Sequence, residues 1–95
     1  MPGTRSPAPS LDGSWRVERI SGLLPPVPIH KSISASSGVT RIGVIRLPFR
    51  VDGRRLRYRP PLHAFVDELE PRGKGFDGRA KVLGREYARF RLVRG

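Results

Sequence analysis

Ninety-five residues make one small domain, and a chain of this size buries roughly 60–65% of its unfolded surface, which leaves little room for a large enclosed cavity. The chain has no cysteine, which excludes a disulfide framework and thiolate metal sites, and its net charge of +11 draws anions: nucleic acid, acidic lipid headgroups, or phosphorylated or carboxylated small molecules. No apolar run approaches the ~18 residues of a membrane-spanning helix and the N-terminus lacks a signal peptide's apolar stretch, so a cytoplasmic location is expected.

Residues 1–10 are Pro, Gly, Ser and Ala around one Arg and read as a disordered tail ahead of a single domain over 11–95. Ser14 to Ile20 reads as a first strand with Trp15 and Val17 on one face. Residues 21–38 are irregular in composition, either a lid or binding loop or, over Ile29 to Ser34, one more strand. Ile42 and Val44 share a phase that Ile45, Leu47, Phe49 and Val51 reverse, which implies a β-bulge near Val44-Ile45 or a break between strands. Pro48 cannot donate to a ladder, so the sheet is expected to be open or locally split there.

Asp52-Gly53 is a strong two-residue hairpin signal. Centred there, the turn pairs Phe49 with Leu56 and Leu47 with Tyr58 on an apolar face, and opposes Arg50 to Arg55 and Arg46 to Arg59 on the other, with Arg57 beside them. A second hairpin over 78–92 takes a three-residue loop, Gly84-Arg85-Glu86, because only that register makes one face wholly apolar. It pairs Val82 with Ala88, Ala80 with Phe90 and Gly78 with Leu92, and opposes Lys81 to Arg89 and Arg79 to Arg91. Directly opposed like charges destabilise a sheet, so these rows call for an anionic partner or an acidic surface laid over them. Codon bias in a GC-rich genome is the plainer source of 16 Arg, but it does not align them on strand faces.

Between the hairpins, Leu62, Phe65, Val66 and Leu69 fall at helical spacing and prolines bracket them, which predicts one short helix over 61–70 with an acidic face of Asp67, Glu68 and Glu70. Such a helix suits a cationic sheet, within the chain or across a homodimer.

Catalytic and metal chemistry finds little support. His63 and Asp67 share a helical spacing, but two ligands do not make a metal site and nothing ties His30 to them. The serines lack a Gly-x-Ser-x-Gly elbow, and the Pro71 to Gly75 turn lacks P-loop spacing. The cations Arg46, Arg50, Arg55, Arg57, Arg59, Arg79, Lys81, Arg89 and Arg91 supply phosphate contacts. A single-strand reader also needs outward aromatics, and only Tyr87 is expected to point outward.

Gly13-Ser14-Trp15 at the head of a first strand, followed by a long loop and a string of hairpins, resembles the lipocalin or calycin pattern. The resemblance implies an antiparallel barrel whose base the indole closes, with an Arg of the last strand, here Arg91 or Arg94, packed over it. Val17 stands where related small Gly-x-Trp-x-Gly proteins carry a second Gly, and the chain is shorter than a lipocalin.

The expected fold is therefore mostly β: an antiparallel meander forming a small barrel or half-barrel with one short helix. The expected function is non-enzymatic binding, without a cofactor or metal, of a small apolar or amphipathic anionic ligand beside Trp15, Phe49, Tyr58, Val82, Ala88 and Phe90. Side chains filling the interior instead is the alternative that the chain's size favours. The competing functions are polyanion or nucleic-acid binding on the Arg face, and a dimeric structural module.

Overall fold

A computed structural model describes residues 10–95; all but Ser10 of the expected N-terminal tail lies outside them. Eight strands follow one another: β1 (Gly13–Gly22), β2 (Ile29–Ser34), β3 (Ser37–Ile42), β4 (Ile45–Asp52), β5 (Arg55–Tyr58), β6 (Phe65–Arg72), β7 (Gly75–Val82) and β8 (Arg85–Arg94). Each pairs antiparallel with the next, and β8 returns to β1, so the meander closes into a barrel. Closure removes every sheet edge.

Two-residue turns make five of the seven connections. Gly43, Gly53 and Gly73 each supply a positive φ at the first turn position, and Leu83-Gly84 has positive φ at both, the I′ geometry that matches strand twist. The longer connections, 23–28 and 59–64, lie at the same end as the Gly43-Val44 and Leu83-Gly84 turns, here called the mouth. The opposite end, the base, holds the chain's entry into β1, the other turns and the end of β8.

Period-two patterning fills the interior. Trp15, Ile33, Phe49, Leu56, Leu69, Phe76, Phe90 and Leu92 are buried in one cluster. Two cross-strand glycines make this packing possible: Gly38 pairs with Phe49 and Gly78 with Phe90, and each aromatic ring lies where the glycine's Cβ would stand. At the base, Trp15 Nε1–H donates to the Leu11 carbonyl at 2.7 Å and Phe76 meets the indole edge-on. Arg94 stacks on the indole at 3.9 Å while its guanidinium donates to the Asp12 and Ser10 carbonyls. Of the two expected arginines, Arg94 takes this place.

Several expectations are corrected. No helix forms over 61–70; Phe65–Arg72 is strand β6, paired with β5 and β7. A two-turn helix is marginal alone, whereas a strand here gains ladders on both sides. In strand phase Asp67 and Leu69 point inward and Glu68 outward. Pro71 costs little, because its nitrogen points as that of Leu69 does, toward β5, which has already turned away at Arg54.

Both hairpins slip by two residues from their expected registers, which leaves the faces unchanged except at Tyr87. In the first, Gly53-Arg54 is the turn and Phe49 pairs with Tyr58, Val51 with Leu56 and Arg50 with Arg57. In the second, Leu83-Gly84 is the turn, Gly78 pairs with Phe90, Ala80 with Ala88 and Arg79 with Arg89, and a bulge places Tyr87 out of phase. Tyr87 is consequently half-buried instead of pointing outward, edge-on to Phe65. The phase reversal at Val44-Ile45 is a turn between strands, the second of its two expected readings. The barrel is not open at Pro48: its carbonyl accepts from Arg59 N–H at 3.2 Å, just past the last residue of β5, so its missing donor falls where the ladder ends.

Candidate ligand-binding site

Three polar side chains interrupt the apolar interior. Lys31 lies between inward Ile29 and Ile33 on β2, Thr40 on β3 and Asp67 on β6, and all three are buried. Lys31 Nζ donates to Thr40 Oγ1 at 2.8 Å and to Tyr58 Oη at 2.8 Å, and forms an ion pair with Asp67 Oδ2 at 2.9 Å. Tyr58 and Thr40 are 2.7 Å apart, and Tyr58 O–H also reaches Asp67 Oδ2 at 3.2 Å. The ammonium thus has two hydrogen bonds and an ion pair inside the barrel. The rings of Phe49, Tyr58 and Phe90 stand 5.4–5.6 Å from Nζ and add cation–π attraction.

Burial alone would push the Lys31 ammonium down, but the charge of Asp67, with Tyr58 and the hydrogen bonds, outweighs it and holds the lysine above its ordinary value. Burial raises Tyr58, reinforced by Asp67 and opposed by Lys31. The cluster is thus a buried ion pair with a phenol hydrogen-bonded to it. Among the described residues no group of three or more His, Cys, Asp or Glu is placed to hold a metal.

Above this cluster, a cavity of about 290 Å³ opens toward the mouth. Lys31, Thr40, Tyr58 and Asp67 form its floor; Val17, Ile29, Ile42, Leu47, Ala80 and Phe90 its wall; Leu23, Leu24, Pro25, Leu62, Phe65 and Tyr87 its rim. Of the two readings of residues 21–38, the strand over Ile29–Ser34 forms, and Leu23, Leu24 and Pro25 before it line the opening. Asp67 Oδ2 takes the bonds from Lys31 and Tyr58, whereas no described residue donates to Oδ1, and that oxygen is not sealed from solvent.

Of the expected ligand-contacting residues, Tyr58 and Phe90 line this cavity. Trp15, Phe49 and Ala88 are packed in the core outside the lining, and Val82 is half-buried near the β7–β8 turn. Lys31 and Thr40 were not among the expected site residues, and Asp67 was expected on an outward acidic helix face beside His63 instead of inside the barrel. Their signal is a charge in the inward phase of Ile29-x-Lys31-x-Ile33 and of Phe65-x-Asp67-x-Leu69.

The Arg rows lie on the outer wall and at the mouth, and acids interleave many of them. Glu68 on β6 reaches Arg55 at 3.7 Å and Lys81 at 3.0 Å; Glu86 reaches Arg79 at 4.0 Å and Arg89 at 2.8 Å. Asp52 pairs with Arg57 and Asp77 with Arg91. The acidic segment expected to cover the arginines does so in part, as a strand of the same sheet. Arg46, Arg50 and Arg59 keep no acidic partner among the described residues. The architecture is that of a small closed eight-stranded antiparallel barrel. Comparison with family models, curated proteins and solved structures found no match to this chain.

Proposed function

We propose that the domain is a non-enzymatic binder of a small amphipathic molecule, held in the mouth cavity with its polar end on the Lys31–Tyr58–Asp67 floor. The supporting observation is the union of an apolar wall with one unspent acceptor, Asp67 Oδ1, at its bottom. Binding pockets combine these two features. Asp67 already balances Lys31, so a carboxylate head would have to break that pair. An uncharged donor such as a hydroxyl therefore replaces the expected anionic head. A dry cavity of 150 Å³ holds benzene, so about 290 Å³ suits a ligand of roughly 10–15 heavy atoms. The Gly13-Ser14-Trp15 start with Arg94 on the indole supports the likeness to lipocalins, in which barrels of this kind enclose ligands.

Titration with 1-octanol and octanoate, followed by native mass spectrometry and calorimetry, tests the reading. Octanol is expected to bind one to one and more tightly than octanoate. Ala80→Leu, or Leu47→Phe if the first variant is poorly folded, is expected to abolish uptake without changing the circular dichroism. Failure of both ligands to bind sinks the proposal; preference for octanoate sinks the assignment of the head group.

A further inference from the structure

The two ends of the barrel differ sharply. Of the six large apolar side chains left exposed among the described residues, Leu23, Val27, Val44, Ile45 and Leu83 belong to the mouth end, while Ile20 lies on the outer wall of β1. Leu23 is 80% exposed, Val44 97% and Leu83 82%, and each sits at a separate projecting connection around the cavity opening. Leu83 breaks two rules at once. It is apolar on the surface, and it occupies φ +52° in a turn position that favours Asn or Gly. The base turns instead carry Ser36, Arg54 and Lys74.

Cations without an acidic partner among the described residues stand at both ends, Arg50, Arg54 and Lys74 toward the base among them, but only at the mouth do they stand beside exposed apolar turns. Arg41 and Arg46 face each other directly across the strands flanking the Val44 turn, Arg85 adjoins the Leu83 turn, and Arg59 lies in the β5–β6 connection. None has an acidic partner among the described residues. Glu86, beside Arg85, is taken by Arg89 and Arg79. Opposed arginines are costly in a sheet unless an anion sits over them.

We infer that the mouth docks on an anionic lipid bilayer, with Leu23, Val44 and Leu83 entering the interface and Arg41, Arg46, Arg59 and Arg85 on the headgroups. Apolar area combined with cations facing anionic lipid is the recipe for interfacial binding. A second copy of the chain is a poor occupant, since its own unpaired arginines would meet these. The barrel rests on the surface instead of crossing it, because its wall carries charges such as Arg55, Arg57, Arg79 and Arg89, whereas a spanning barrel needs an apolar outer band. Docking goes beyond the ligand reading and would set the cavity opening against the lipid.

The test is co-sedimentation with phosphatidylcholine vesicles, with and without roughly 30% phosphatidylglycerol. Binding is expected only with the anionic lipid. Val44→Asn with Leu83→Asn, which suits the turns, is expected to weaken it about ten-fold or more. Arg41→Gln with Arg46→Gln is expected to weaken it far more than Arg54→Gln with Lys74→Gln, which removes the same charge from the base. A polarity-sensitive dye on Val44→Cys, unique in a cysteine-free chain, is expected to shift to the blue. No binding to anionic vesicles overturns the proposal, and leaves an acidic protein as the partner to seek. Equal losses from the mouth and base variants, or indifference to the apolar substitutions, reduce the effect to net charge and also overturn it. Ala80→Leu is expected to leave vesicle binding intact, so failure of docking and failure of the ligand reading are separable.

Discussion

Lys31 Nζ and Asp67 Oδ2 meet at 2.9 Å across the barrel interior, between β2 and β6, which share no ladder. The pair therefore joins strands that the hydrogen-bonded wall does not. Breaking it by removing one partner leaves a buried charge, which costs about 3–5 kcal/mol, whereas replacing both with apolar groups is often neutral. Lys31→Met and Asp67→Leu singly are each expected to lower stability by about that amount, and the double variant by much less. Urea denaturation of the four proteins measures the coupling; additive losses would show that the pair is not coupled.

Alkaline pH should weaken the fold through the same cluster. Lys31 and Tyr58 are both held above their ordinary values, and burial pushes Tyr87 up to about 12. Groups with raised folded values stabilise fully below the unfolded value, and that contribution is lost as pH rises toward the folded one. Unfolded Lys and Tyr both titrate near ~10. The urea midpoint is thus expected to fall from about pH 10 upward, with a shallower fall in Tyr58→Phe. A midpoint that holds steady or climbs through pH 11 would contradict this account.

How much of this was legible in the sequence depends on which interactions each signal reports. Inward and outward faces in the hairpins were readable, because period-two patterning reports burial directly; Phe49, Leu56 and Tyr58 keep their expected side despite the slipped register. The turn positions were not, since Asp52-Gly53 and Gly53-Arg54 differ by one residue at each end and preserve the same faces. Phe65 and Leu69 fit a helix and a strand equally, and only pairing with β5 and β7 decides between them. The floor of the cavity was hidden for a related reason. Lys31 and Asp67 lie 36 positions apart and make sense inside a core only once both strands are placed. The mouth was obscured by Tyr87, whose position depends on a bulge that no residue type announces.

Trp15 and Arg94 fasten the base. The indole is fully buried, and Arg94 both stacks on it and holds the backbone at Asp12 and Ser10. Trp15→Ala is expected to cost about 3–5 kcal/mol, as large aromatic truncations do. Arg94→Ala is expected to cost about 1–2 kcal/mol, with Arg94→Lys recovering only part, since an ammonium lacks the planar fork. Trp15 emission should be blue-shifted and weakly quenched by iodide in the native protein, and more quenched in Arg94→Ala. Strong native quenching would place the indole in water and remove the strap.

Gly78 tests whether the interior is a jigsaw or merely apolar. A Cβ there would stand inside the Phe90 ring, which is buried and faces Lys31. Gly78→Ala is therefore expected to destabilise by about 1–3 kcal/mol, as overpacking of a filled core does, even though Ala suits a strand better than Gly does. Gly43→Ala meets no neighbouring atom, so its cost should come only from the positive φ of its turn. Pairing Gly78→Ala with Phe90→Leu should restore most of the lost stability, because the smaller side chain vacates the space that the new methyl needs. If the double variant is instead no more stable than Gly78→Ala alone, the contact between Gly78 and Phe90 is not what fixes the ring, and the alignment of β7 on β8 must rest on the Leu83-Gly84 turn and the Tyr87 bulge.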